Sequence, residues 1–200
     1  MNVRKRQQAH TRQAILDALA DVIANSGATG FSVQEVADRA GVTHRTVYNH
    51  FPTRAALNDG FAVHVEEELA KLADPRGATL NLAKLAPVVA ELYRVVSQRA
   101  SHVRAYVMLM IASRAPAKVT RDRTAQFERL VEDEAGPLPA GAARLVTASL
   151  RMFVSSTAWH LLTEHQGLST EEAARAAQWA TKTLLAAVAN GDYPQPGDRT

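Results

Sequence analysis

The chain has 200 residues, 46% of them hydrophobic and 22% charged, enough apolar material for one large or two small cores. It contains no cysteine, which excludes disulfides and thiolate metal sites, and its formal net charge is +3. The opening MNVRKRQQAHTR is basic and polar with no apolar stretch, so no signal peptide is expected. The longest apolar run, Tyr106 to Ala112, is far short of the roughly 20 residues that span a bilayer, and a soluble, cytoplasmic protein is expected.

A first helix is predicted from about Arg4 or Thr11 to Asn25, with Ile15, Leu16, Leu19, Val22 and Ile23 as its apolar stripe. Gly27 and Gly30 end it and form the turn into Phe31. Arg4, Lys5 and Arg6 lie at or before its start. They read equally as an arm for phosphates or a minor groove and as a solvated tail.

Phe31 to Phe51, FSVQEVADRAGVTHRTVYNHF, reads as two short helices joined by a tight turn. Ser32 and Glu35 have capping-box spacing, so the first of these should start at Val33, with Phe31 and Val36 as a hydrophobic staple. Val33, Val36, Ala37 and Ala40 form one apolar face, and Gly41 stands where a left-handed C-cap favours glycine. Thr43 can cap the second helix, with Val42 and Val47 as its staple. This is the spacing of a helix-turn-helix, whose second helix enters a major groove.

Val47 and Phe51 point that second helix's apolar side to the core. Arg45 and Asn49 are the side chains most opposed to them, flanked by Tyr48 and Thr46. Arg pairs bidentately with guanine and Asn with adenine, while Tyr and Thr suit phosphate oxygens or a thymine methyl. Arg45 and Asn49 are therefore the expected base readers, with Thr43 and His44 as neighbouring candidates.

The run from Ala40 to Leu57, AGVTHRTVYNHFPTRAAL, resembles the DNA-binding end of TetR-family transcriptional repressors. Those proteins build a helix-turn-helix from their second and third helices and end it in Tyr-x-His-Phe. A Pro, a Ser or Thr, and a basic residue then open a fourth helix. Tyr48, His50, Phe51, Pro52, Thr53 and Arg54 match that pattern. The resemblance implies phosphate contacts for Tyr48, His50 and Arg54; Thr53, Ser32, Gln34 and Thr11 are further phosphate candidates. It also implies a near-palindromic double-stranded operator, a homodimer and a small-molecule effector. The His44-Arg45 pair is bulkier than the residues many relatives carry there, so no base preference is transferred.

Charge supports that placement. Residues 1–54 hold Arg4, Lys5, Arg6, Arg12, Arg39, Arg45 and Arg54 against Asp17, Asp21, Glu35 and Asp38, so the whole cationic excess lies there. A fourth helix should follow Pro52, capped by Thr53, with Leu57, Phe61, Val65, Leu69 and Leu72 in helical period. In it His64 and Glu68 form an i, i+4 pair able in principle to hold a metal. No third ligand is apparent in the sequence, so a surface hydrogen bond is expected instead and no metal site is assigned.

Asp74-Pro75-Arg76-Gly77 breaks the chain. Three further helical segments follow: Leu80 to about Arg99 with Pro87 as first turn or kink, Ser101 to Ser113, and Pro116 to about Glu134. After the Gly136–Pro139 loop a long helix is expected from Ala140 to about Glu164. Ser169 and Glu172 then form a second capping box opening a helix to about Asn190. These last two carry apolar residues on more than one side, and the final one is crowded with alanine. A second face suggests a partner, matching the homodimer that the resemblance implies.

The expected class is thus all-α, with a helix-turn-helix DNA-binding domain over 1–52 and a helical effector-binding and dimerisation domain over 53–200. Tyr93, His102, Tyr106, Met110, Phe127, Phe153, Trp159 and His160 mix aromatic bulk with polar handles, as ligand pockets do, although each also fits plain core packing. No G-x-S-x-G, P-loop or dinucleotide turn occurs, and His160 and His165 diverge on a helix, so no catalytic site and no cofactor are expected. The competing reading is a helical dimer that binds a ligand or protein without operator-specific DNA binding.

Overall fold

The computed structural model describes residues 3–73, 81–113, 118–139 and 141–195. Among them there are ten α-helices and no strand. They are α1 (Val3–Gly30), α2 (Val33–Arg39), α3 (His44–His50), α4 (Arg54–Ala73), α5 (Leu85–Gln98), α6 (Ala100–Ala112), α7 (Lys118–Glu134), α8 (Ala142–Phe153), α9 (Ser156–His160) and α10 (Thr170–Ala189). The all-α class is as expected. The Asp74–Gly77 break, Leu80, Pro116, Ala140 and the side chain of Leu72 lie outside the described residues. By packing, the chain forms two compact units: residues 1–68 with 99–119, and residues 69–98 with 120–200.

In the first unit α1 packs against α2 and α6 through Ile15, Leu16, Leu19, Val22 and Ile23. The helix starts at Val3, so Arg4, Lys5 and Arg6 are helical rather than a preceding tail. It is interrupted at Gly27, whose φ of 77° is left-handed and open to glycine at little cost. Leu57, Phe61 and Val65 of α4 are each no more than 1% exposed. Gly60 lies on the same helix, and a Cβ there would stand 2.5 Å from Phe51 Cε1 and 3.2 Å from Arg12 Nη2. Bare backbone is thus what lets α4 close on the end of α3.

In the second unit Leu82, Leu85, Phe127, Val131, Ala143, Val146 and Leu150 form a core against which Leu184, Leu185 and Val188 of α10 pack. Pro87 falls in the first turn of α5, where its missing N–H costs nothing. The predicted continuous helix from Ala140 to Glu164 is corrected: it breaks after Phe153. Val154 leaves helical geometry, and extended Ser155 caps α9 through an Oγ that accepts from Ala158 N–H at 3.1 Å. A single π-helical turn, Leu161–His165, follows. The break orphans carbonyls that the fold then satisfies. Ser155 Oγ donates to Met152 C=O at 3.1 Å, and the Tyr93 hydroxyl donates to Phe153 C=O at 3.0 Å. The capping box at Ser169 and Glu172 forms as predicted.

Candidate nucleic-acid interface

Two seven-residue helices are too short to hold themselves, so their ends are pinned by side chains. Ser32 Oγ accepts from Glu35 N–H at 3.1 Å while Ser32 N–H donates to Glu35 Oε2 at 2.6 Å, the predicted capping box. These bonds, the backbone one first, hold the Glu35 carboxyl below its ordinary pKa. Phe31 and Val36 are buried, as the staple requires, and Gly41 takes a φ of 66°. Val42 N–H then closes the turn onto Ala37 C=O at 3.0 Å. Thr43 Oγ1 accepts from Thr46 N–H at 3.1 Å and starts α3. The helix-turn-helix is therefore fixed from within its own sequence.

On α3, Val47 is 1% exposed and anchors the inner face with Phe51. His44, Arg45, Tyr48 and Asn49 are exposed, Tyr48 by 39%, and His50 and Thr46 are half-buried. The His44 and Tyr48 rings meet edge to face at 4.8 Å, which limits the directions Tyr48 can take. The Thr43 and Thr46 hydroxyls lie 2.8 Å apart and are engaged in the cap. Among the described residues Arg45 and Asn49 take no protein partner, leaving an Arg and an Asn one helical turn apart facing outward.

The supporting residues are more occupied. Ser32 is in its cap, Gln34 donates to Asp38 Oδ1 at 2.7 Å, and Thr53 Oγ1 caps α4 by accepting from Ala56 N–H at 3.0 Å. Arg54 lies 4.0 Å over the Phe31 ring and donates to Ala28 C=O and Thr29 C=O at 3.3 and 3.2 Å. It joins the end of α1 to the start of α2 as well as presenting charge. Thr11 is half-buried on α1.

Sequence reasoning missed Gln8 and Arg12. With Ala9, Thr46, Asn49 and His50 they line an open groove of about 490 Å³ between α1 and α3. Arg12 is held 4.3 Å over the Phe51 ring. The only prior signal was its charge, because the pairing of α1 with α3 is not local. Of the residues expected near a ligand, His102 and Tyr106 belong to the first unit. There His102 meets Asp17, and the Tyr106 hydroxyl donates to Glu66 Oε1 at 2.7 Å. Met110 is half-buried on the same helix. In the second unit Tyr93, Phe127 and Trp159 are buried, and Phe153 and His160 are half-buried. Trp159 Nε1 donates to Thr170 Oγ1 at 3.3 Å.

A short capped helix, outward Arg and Asn, and a cationic surround define a helix-turn-helix DNA-binding regulator. Residues 15–59 match the model of the bacterial regulatory proteins of the tetR family, so this stretch of the chain is a DNA-binding segment of the TetR type. Nucleoid occlusion factor SlmA of Vibrio cholerae is 31% identical over 84 residues, 40% of this chain and 43% of SlmA. The transcriptional regulator AlkX of Mycobacterium tuberculosis is 31% identical over 62 residues, 31% of this chain and 29% of AlkX. The chain thus matches under half the length of these relatives. Among solved structures, NalD of Pseudomonas aeruginosa, a repressor of a multidrug efflux pump, superposes with a TM-score of 0.64 at 19% identity, covering 89% of this chain and 96% of NalD. FadR of Bacillus subtilis, solved with stearoyl-CoA, gives a TM-score of 0.63 at 16% identity, covering 86% and 97%. Both show the same fold. No helix among the described residues is long and apolar enough to cross a membrane.

Proposed function

We propose that the chain is a dimeric, cytoplasmic repressor that binds a near-palindromic operator and leaves it when a small molecule binds. The observation that carries the DNA-reading part is the outward, unpartnered Arg45 and Asn49 on a helix whose opposite face is buried. Arg45 and Asn49 read base edges, with Thr43 and His44 beside them. Tyr48, His50, Thr53 and Arg54 with Thr11, Ser32 and Gln34 set the register on phosphates. The functional boundary of the reading domain is placed near residue 52. Residues 53–200 supply dimerisation and effector binding.

Dimerisation is supported by α10, where Ala176, Trp179, Thr183 and Ala186 form an exposed row. Trp179 is 71% exposed, and Met152 on α8 is 53% exposed. A bare indole flanked by alanines suits close packing against a second copy. Two α3 helices in a dimer would meet half-sites about 34–36 Å apart or at a multiple of that spacing. The effector is expected to be mainly apolar, met by residues such as Phe153, Trp159 and His160, and to favour a dimer whose α3 spacing no longer fits DNA.

Selection of bound DNA from a random pool, followed by footprinting, tests this reading. Replacing Arg45 or Asn49 with Ala should cost about 1–3 kcal/mol for the selected site and relax its sequence preference. Replacing Tyr48 should weaken binding to all DNA sequences about equally and leave the salt dependence unchanged, because the tyrosine carries no charge. If Arg45→Ala keeps both affinity and preference, α3 is not read as assigned. If no DNA is selected, the chain is a helical ligand- or protein-binding dimer. The match to SlmA supports a second reading, a chromosome-associated factor with many sites, which genome-wide mapping would distinguish by the number of occupied sites.

A further inference from the structure

We propose that Asp17, His64 and His102 form a binding site for one divalent transition-metal ion of the zinc, nickel or cobalt class, with Glu68 as a fourth ligand. The sequence showed only the His64–Glu68 pair. The fold adds Asp17 from α1 and His102 from α6, residues remote in the chain, so that three helices of one unit converge on one point. One donor atom from each of Asp17, His64 and His102 lies within 4.8 Å of the others. His102 Nε2 is 3.0 Å from Asp17 Oδ1, and Glu68 Oε2 is 3.9 Å from His64 Nε2. Tetrahedral zinc with bonds of about 2.0–2.1 Å needs donors about 3.3 Å apart, so Asp17, His64 and His102 close in from within 4.8 Å by side-chain rotation, and Glu68, 3.9 Å from His64 Nε2, joins them by a larger one.

The centre already holds a group that stands in for a cation. The Gln13 side-chain nitrogen donates to Asp17 Oδ1 at 2.8 Å and lies 3.1 Å from His64 Nε2. Its N–H bonds therefore point at a carboxylate oxygen and at an imidazole lone pair, the positions a metal would take.

The surroundings fit as well. His102 Nδ1 is 3.4 Å from Ser101 Oγ, and its ring stacks on buried Phe61 at 6.2 Å, which fix the imidazole orientation. The second oxygen of Glu68 is held by Arg99. The His64 and His102 side chains are each 20% exposed and Asp17 is 49% exposed, so an ion can enter from solvent. Two imidazoles select a borderline-soft ion over magnesium or calcium. The site does not depend on whether α3 reads DNA.

The test uses the full chain without a histidine tag, titrated with Zn²⁺ against a chromophoric chelator and with Co²⁺ followed by absorbance. One equivalent should bind with a dissociation constant of about 1 µM or tighter. The pair H64Q/H102Q should weaken binding about 100-fold and D17N about 10-fold, while H165Q on the other unit changes nothing. Q13A removes the stand-in without removing a ligand and should leave binding equal or tighter. Should the double variant fail to fold, D17N and Q13A together with the cobalt spectrum of the parent decide. Weak binding with no fixed stoichiometry, or equal loss in H165Q and D17N, would show a hydrogen-bonded His–Asp–Gln cluster and overturn the proposal.

Discussion

The helix-turn-helix and the second unit are both helical, but they are stabilised differently. The α2 and α3 helices have seven residues each, whereas α5 and α10 have 14 and 20. Seven residues are fewer than the roughly 12–15 at which isolated helices become even marginal, so α2 and α3 rely on caps, a turn glycine and one or two buried anchors. The long helices spread the same task over many periodic contacts, as α5 does through Leu85, Val89, Tyr93 and Val96. A single substitution should therefore disturb the short helices as a whole and the long ones only locally.

The sharpest way to break that comparison lies at Gly60. Inside an ordinary helix Gly→Ala stabilises by roughly 1 kcal/mol through helix propensity. Here the added methyl meets the Phe51 ring at 2.5 Å, and Phe51 is only 3% exposed and cannot move aside. Gly60→Ala should instead destabilise by about 1–3 kcal/mol in denaturant unfolding and weaken DNA binding through the end of α3. A stabilised Gly60→Ala protein would mean that α3 is not held from this side.

Tyr93 tests the second unit. Tyr93→Phe leaves the Phe153 carbonyl at the α8–α9 break without its donor, at a cost of about 1–2 kcal/mol. Burial raises the Tyr93 pKa above the ordinary tyrosine value, so the folded state keeps its proton longer than the unfolded chain. The sign follows: stability is fully present below about pH 10 and falls as pH rises beyond it, because the unfolded state then ionises first. Urea midpoints measured across that range should lose part of this fall in Tyr93→Phe.

The two capping boxes make a matched pair. Ser32→Ala and Ser169→Ala should each cost about 1 kcal/mol. Hydrogen exchange should separate them, with protection lost across all of α2 but only in the first turn of α10. Hydrogen bonds from Ser32 hold Glu35 below its ordinary pKa, and bonds from Ser169 do the same for Glu172. Each contribution is present above the unfolded carboxyl pKa and disappears as pH falls through the lower folded one. Glu35→Gln should abolish that acid dependence in α2.

The same contrast explains what could be read from the sequence. Ser32–Glu35, Gly41, Thr43 and Ser169–Glu172 act on neighbours three or four residues away, and local spacing displays them. The break at Ser155 did not show, because a serine within a helical period fits either a cap or an exposed face. Arg54 over Phe31, Gly60 against Phe51, and Asp17 beside His64 and His102 depend on helices meeting across the fold, which no local pattern records. The aromatic residues of the second unit were equally uninformative, since helical spacing looks the same for a packed core and for a cavity wall.

The smallest expected effect bears on α2. Arg39 binds Asp21 of α1 through Nε at 3.0 Å and Nη2 at 2.7 Å, a link between the short helix and its support. Both side chains are well exposed, 60% and 43%, so solvent and salt screen the pair. Arg39→Ala should cost only about 0.2–1 kcal/mol at low salt and still less at 1 M salt, measured as shifts in the urea midpoint. Val36 and Ala37 are fully buried beneath the same helix and should carry its attachment instead. A loss as large as that of Ser32→Ala, persisting at high salt, would show that α2 is held by charge rather than by its cap and anchors.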